Sequence, residues 1–301
     1  MAITRGQLLK ELVPGLNAIF GTEYSRYEDE AAVLFDQESS NRAFEEEVLF
    51  PGFGEAQTKF EGAGVAYAQT GEGWVARYTN ETVALAFAIT EEAMEDNLYD
   101  KLSTRLTKAL ARSMSAAKQT KGATIYNDAF TVSNGGDGQP LVSNSHPLQN
   151  GSTASNRPST YSDLSETSLE DALIDIAGLT DDKGLPIALQ ARTLHIPRQL
   201  VFVAERLMAS PYRPGTADND VNALKSTGMI PGGYYVNHRF TDPDGFFLRT
   251  DCPNGMKMFS RTPVATSMEG DFETGNVRYK ARERYVFGFS DWRGVYGNKG
   301  V

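Results

Sequence analysis

The stretch from Thr90 to Gly122 constrains the fold most, because it reads as a single uninterrupted helix. Thr90 is a good N-cap, since its hydroxyl accepts from a free backbone N–H of the first turn. Glu91 and Glu92 put negative charge at the positive end of the helix dipole. Leu98, Leu102, Leu106, Ala109, Leu110 and Ala117 recur at three- and four-residue steps and make one apolar stripe. Lys118 and Lys121 sit at the negative end, and Gly122 is placed to take the left-handed cap. At the α-helical rise, residues 91–121 form a rod of roughly 46 Å. A compact globule of this length is about 50 Å across, so the helix spans nearly the whole body.

A second long element closes the chain. Val277, Tyr279, Ala281, Glu283, Tyr285, Phe287 and Phe289 alternate with Arg278, Lys280, Arg282 and Arg284. That period of two predicts one strand of roughly 43 Å, far longer than the usual 5–6 residues or so. A helix and a strand of matched length predict an elongated α/β plank, with the helix on one side and a long sheet on the other. Compact enzymes seldom need such a shape, whereas a subunit that tiles a surface does.

Between and before these elements the organisation is looser. Residues 1–47 read as an arm. Leu8, Leu9, Leu12, Leu16 and Ile19 have helical spacing, broken by Pro14 and Gly15, and the apolar anchors are too few for a separate core. The arm lies either on its own body or on another subunit. Val65–Gln69, Trp74–Tyr78 and Val83–Ile89 are strand-like. Four glycines between Gly52 and Gly64, with little to bury, suit a projecting loop. Residues 143–165, rich in Ser, Asn, Thr, Gly and Pro, read as a long surface connection. Thr167 and Glu170 form a capping box that opens a helix ending at Gly178. A short strand at Thr193–Ile196 leads to Pro197 at the first turn of another helix. Further strands are expected at 233–239, 246–250 and 255–261.

Composition narrows the function. The chain has 301 residues, a formal charge of −10, one cysteine and three histidines. The acidic balance argues against a dedicated nucleic-acid binder, which needs clustered cations. Cys252 alone excludes an intrachain disulfide framework and a cysteine-rich zinc site, which fits a reducing compartment. The N-terminus lacks the apolar run of a signal peptide, and no apolar run approaches a membrane span. His146, His195 and His238 lie far apart, outside any metal-ligand spacing. There is no nucleophile elbow, and Gly62-Ala63-Gly64 lacks the third glycine and helix of a dinucleotide fingerprint. Asp181-Asp182 and Asp218-Asn219-Asp220 lack a calcium loop and its closing glutamate, so they read as turn chemistry. The row Arg278, Lys280, Arg282, Arg284 reads as a solvated face or a partner for carboxylates, with Glu45, Glu46 and Glu47 the natural candidates if the arm crosses a neighbour.

The order of parts, arm, strand-rich extended loop, long helix, mixed α/β region and final long strand, resembles the major capsid protein of tailed bacteriophages, the Hong Kong 97-type fold. Ile125-Tyr126-Asn127-Asp128-Ala129-Phe130, Ser145-His146-Pro147-Leu148, Leu194-His195-Ile196-Pro197 and Phe202-Val203-Ala204-Glu205-Arg206-Leu207 are similar to segments of that family. The resemblance implies an α+β fold with an N-arm at 1–47, an extended loop at 48–82, a peripheral domain from 83–122 and 271–301 with spine helix 91–121, and a mainly axial domain at 123–270. It implies self-assembly into pentamers and hexamers of an icosahedral shell that encloses double-stranded DNA without sequence-specific binding. The expected location is the virion, assembled in the host cytoplasm. Expected partners are a separate scaffolding protein, favoured by Met1 and by the lack of room for a cleaved segment before the loop, a portal, a maturation protease and, in some members, a decoration protein. No cofactor, metal or membrane is implied. Candidate inter-subunit contacts are Glu45, Glu46, Glu47, Phe50, Phe53, Lys59, Arg278, Lys280, Arg282 and Arg284. Some members crosslink a loop lysine to a neighbour's asparagine. Lys59 lies in that region without a defining environment, and no crosslink is expected. The alternatives are an α+β enzyme with His146 or Asp251 in an unrecognised cleft, a tail or decoration protein, and an encapsulin-like shell.

Overall fold

The structure, a computed structural model, describes residues 5–62, 64–68, 71–90, 92, 99–213, 220–271 and 274–301, with side chains from residue 14 onward in the first helix and from residue 103 onward in the long one. The first half holds α1 (Arg5–Tyr24), α2 (Glu30–Leu34), β1 (Asp36–Ser39), β2 (Phe44–Val48), β3 (Val75–Thr79), β4 (Glu81–Ile89) and α3 (Tyr99–Asn127). The second holds β5 (His146–Pro147), β6 (Thr153–Ala154), α4 (Glu166–Ala177), β7 (Ala191–Pro197), α5 (Val201–Ala209), α6 (Ala223–Thr227), β8 (Tyr234–Asn237), β9 (Phe246–Thr250), β10 (Met256–Gly270), β11 (Val277–Phe289) and β12 (Val295–Asn298).

Two four-stranded sheets carry the fold. The long sheet runs β1-β10-β11-β4 and the second β12-β9-β7-β8. β11 occupies the predicted range and alternates buried with exposed from Val277 to Arg282. Its inward row packs under α3 and α1: Tyr279 and Ala281 meet Leu16, Phe20, Leu110, Ala111 and Met114 in one core. The plank of helix on sheet is therefore present, as the two periodicities require. β10 is longer than expected, because the break at Pro263 is absorbed by register shifts between Ser260, Thr262 and Ala265, where a bulge tolerates a residue without an N–H.

The long helix differs from expectation at its C-terminal end. Glu91, residues 93–97 and Leu98, and the side chain of Leu102, lie outside the described residues. The helix passes through Gly122 and ends at Asn127, so Gly122 is no cap. A β-carbon there meets the Ala31 methyl at 3.1 Å and the Phe35 ring at 3.4 Å. The glycine lets α2 and its following turn lie against the helix. The buried seam is also rotated from the aliphatic stripe: Ala109 is exposed, while Ser103, Thr107, Ser115 and Gln119 are buried. Gln119 explains its own place, accepting from Ala31 N at 2.7 Å and donating to Asp29 Oδ1 at 2.6 Å. α1 runs on through Pro14. Docking of Leu16 and Phe20 on α3 outweighs the missing N–H.

The arm lies on its own body. β1 adds parallel to β10 from Asp36↔Lys257 to Ser39↔Ser260. Tyr24 donates to Glu283 at 3.0 Å, and Glu23 accepts from Arg112 at 2.8 Å.

The second sheet and α4–α6 form another core around Leu169, Ile176, Leu194, Ile196, Phe246, Leu248 and Trp292. α4 is capped by a reciprocal pair, Ser165 N to Ser168 Oγ at 2.9 Å and Ser168 N to Ser165 Oγ at 3.2 Å, with its N-cap ahead of the expected Thr167–Glu170 box. The region 143–165 is not merely a surface connection. Asn156 is fully buried and donates to Leu141, Trp292 and Val295 carbonyls at 2.8, 3.2 and 2.8 Å while accepting from Ser143 N at 2.9 Å. β10 belongs to the long sheet and β12 crosses into the second. The chain thus passes from the second sheet at β9 to the long sheet at β10 and β11 and back at β12. A third core, with Tyr126, Phe240, Phe247, Met258, Tyr285 and Phe289, joins the sheets around the end of α3.

Candidate assembly surfaces

The residues that chemistry would use are occupied structurally. His146 is buried, bonded to Asp137 at 2.6 Å and Asn156 at 3.2 Å, and stacked on Trp292 with centroids 4.3 Å apart. His195 lies 2.8 Å from Thr193 Oγ1. Burial, with Arg249 nearby, holds its pKa down to about 3, so the ring is neutral at neutral pH. His238 caps the α2 carboxylate Glu30 at 2.8 Å. The Cys252 thiol is pushed up by burial, away from nucleophilic use. Asp251 accepts from Gln190 N at 2.8 Å. Asp182 is buried against Arg293 at 3.0 Å, and Asp181 accepts from Lys183 N and Leu185 N. Asp181 thus does the turn chemistry expected of this pair, while Asp182 serves a buried ion pair instead. Asp218 and Asn219 lie outside the described residues. Among the described residues no three carboxylate, histidine or cysteine side chains converge as metal ligands, and no helix is long and apolar enough to cross a membrane.

What remains unexplained by the interior lies on two surfaces. The first is the loop beyond the β2–β3 hairpin. β2 and β3 pair from Phe44↔Thr79 to Val48↔Val75, and the hairpin sits on the outer face of the long sheet. Tyr78 packs on Phe259 with ring centroids 4.9 Å apart. A β-carbon at Gly288 would fall 2.6 Å from the Tyr78 ring, so glycine is needed there. The base of the loop is closed by Leu49 N to Trp74 O at 2.9 Å and Gly73 N to Leu49 O at 2.7 Å. Beyond it, Phe50 is 69% exposed, Phe60 76% and Tyr67 95%, and Phe53, Lys59 and Val65 are exposed too. An isolated exposed apolar residue is ordinary, whereas a run of large ones on one loop marks a contact surface.

The three glutamates anchor the hairpin. Glu45 accepts from Ser40 at 2.8 Å, Glu46 faces Arg77 at 3.7 Å, and Glu47 pairs with Lys257 and accepts from Ser290. Burial works against the charge of Lys257, but Glu47 and Glu38 outweigh it and move its pKa up. Within the chain the structure therefore does not bring Glu45–Glu47 to the basic row.

That row is the second surface. Arg278, Lys280 and Arg282 are exposed on the outer face of β11 and Arg284 is half-buried. Arg278 pairs with Asp271, and Arg284 reaches the Asn80 carbonyl at 3.5 Å. Lys280 lies between Ala86 and Ser267, and Arg282 between Ala84 and Ala265. Both long cations thus stand in a trough of small side chains with no carboxylate directly across on either flanking strand. Sequence reasoning found this row and two of the loop aromatics. It missed Phe60, Val65 and Tyr67 as contact candidates, although their setting in a glycine-rich segment was the available signal.

The profile of the phage capsid protein family matches residues 75–298. No curated protein sequence matches the chain. Among solved structures it is similar to the virus-like particle from Pyrococcus furiosus (11% identity, TM-score 0.55, covering 95% of this chain and 98% of that one). It is also similar to the structure from Microbacterium phage Oxtober96 (13%, 0.53, 91% and 91%) and to the capsid of the native GTA particle (14%, 0.54, 91% and 90%). The shared architecture is the α+β Hong Kong 97-type fold. A structurally committed set of polar residues, an aromatic loop and a basic sheet face left over, and a profile match across most of the chain agree: this chain belongs to the phage capsid protein family.

Proposed function

We propose that the chain is the repeating subunit of an icosahedral head, assembling into pentamers and hexamers around packaged double-stranded DNA. The observation that carries this reading is the loop at 50–72, which exposes Phe50, Phe53, Phe60, Val65 and Tyr67 far more than a monomer's folding explains. In this reading the loop lies over a neighbouring copy. The long sheet with α3 is the peripheral domain, and the second sheet with α4–α6 is the axial domain at the capsomere centre. Phe50, Phe53 and Lys59 on the loop, and Arg278, Lys280, Arg282 and Arg284 on the sheet, make inter-subunit contacts. Glu45–Glu47 support these by fixing the hairpin. Ring contacts of this kind are heterologous and close by rotation. Each copy engages several neighbours through weak linked contacts, and avidity holds the shell.

The same reading places the protein in the virion after assembly in the host cytoplasm, served by a separate scaffolding protein, a portal and a maturation protease. The net charge of −10 suits a container that holds DNA without adhering to it. Deleting residues 52–64 tests the proposal. The expected product is a folded subunit, with unchanged circular dichroism and thermal transition, that no longer forms closed shells. Normal shell assembly by the deletion variant contradicts the role given to the loop.

A further inference from the structure

β4 is an edge strand of the long sheet, and among the described residues after Glu81 no charge or proline of its own guards it. Its outer side carries no hydrogen-bonded strand among the described residues, and its sequence after Glu81, Thr82-Val83-Ala84-Leu85-Ala86-Phe87-Ala88-Ile89, has neither charge nor proline. The opposite edge, β1, presents exposed Asp36 and Glu38, the usual protection of a free edge. Leu85 lies in register with the buried Ala281, on the helix side of the sheet, yet is 47% exposed. The edge therefore has open backbone groups and an incompletely covered apolar row.

The loop contains the reverse case. Gly64-Val65-Ala66-Tyr67-Ala68 has strand-type alternation with β-favouring residues. It makes no strand pairing among the described residues, and Val65 and Tyr67 stand 66% and 95% exposed. We propose that residues 64–68 of one copy add as a fifth strand to the β4 edge of a second copy. The two faces match. With Val65 and Tyr67 on the helix side, they extend the row Val83, Leu85, Phe87 and cover Leu85. Ala66 and Ala68 then continue the outer row of Ala84, Ala86 and Ala88. Charge agrees as well: the loop carries Glu55, Glu61 and Glu72 against the single Lys59, and the outer face beside the edge carries Lys280 and Arg282. Main-chain hydrogen bonds supply affinity in strand addition, and alternate side chains supply specificity. The inference rests on the shell reading and names the partner surface for the loop.

Paired cysteines read the face directly. Tyr67→Cys is combined with Val83→Cys, Leu85→Cys or Phe87→Cys on the helix side, and with Ala84→Cys or Ala86→Cys on the outer side. Cys252 is buried and is left in place, and the unsubstituted chain serves as the blank. After mild oxidation of assembled shells, at least one helix-side pair is expected to give a ladder of covalent multimers on a denaturing gel, and the outer pairs none. Shells without a ladder, or a ladder from the outer pairs, overturn strand addition and leave the shell reading standing. Absence of shells from the unsubstituted chain overturns both. Should a double variant fail to assemble, hydrogen exchange on unsubstituted shells decides. Amides 65–68 are expected to slow about a hundredfold relative to the free subunit, as pairing into a sheet protects them, and unchanged exchange overturns the proposal.

Discussion

Asn156 and Glu283 show two ways a buried polar side chain is tolerated. Asn156 saturates its amide with four main-chain partners from the β12 region and the 141–143 segment. Replacing it by alanine orphans buried donors and acceptors at once, so Asn156→Ala is expected to lose about 3 kcal/mol or more in urea denaturation. Glu283 is less well housed. Burial raises its pKa above the ordinary 4.5, and the bond from Tyr24 offsets this only in part. One carboxylate oxygen has no hydrogen-bond partner among the described residues. A raised carboxyl favours the folded state when protonated. Its contribution is full below 4.5 and is lost as pH rises through the folded value. Glu283→Gln is therefore expected to melt higher at pH 7 and to flatten the decline in stability from pH 4.5 upward. A lower melting temperature at pH 7 contradicts this. Neither role was readable in the sequence, because Asn156 sat among turn-forming residues and Glu283 looked like one more member of an alternating strand.

The long helix and β11 were readable because a period kept over many residues survives local noise. What periodicity could not supply was rotation and partnership. α3 buries Ser103, Thr107, Ser115 and Gln119 since it is squeezed between α1, α2 and the sheet, where small and hydrogen-bonding residues serve better than leucine. Gly122 belongs to the same close approach, so Gly122→Leu is expected to cost about 1–3 kcal/mol through overpacking against Ala31 and Phe35. Chemical denaturation measures it, and an unchanged midpoint shows that α2 yields without strain. β1 escaped sequence reading for another reason: a short exposed strand of Asp-Gln-Glu-Ser has no apolar alternation, and its pairing to β10 is a long-range event. β10 escaped because Pro263 hides its continuity.

In the whole molecule, the interior takes up His146, His195 and Cys252 and His238 pairs with Glu30 at the surface, while the aromatic loop and the basic trough face solvent. Of the residues named from the sequence, those of the trough and the loop face solvent, while the β2 glutamates have partners within the chain. Lys280 and Arg282 have no carboxylate directly across on the flanking strands, so reversing both to glutamate is expected to leave subunit stability within about 0.5 kcal/mol and to impair assembly. Undiminished assembly removes the trough from the interface. The most direct measurement is negative-stain electron microscopy of the purified protein, expressed alone and with a candidate scaffold. Closed polyhedral shells of uniform diameter are the expected result. Small compact particles at every concentration, with the scaffold present, contradict the shell-forming role.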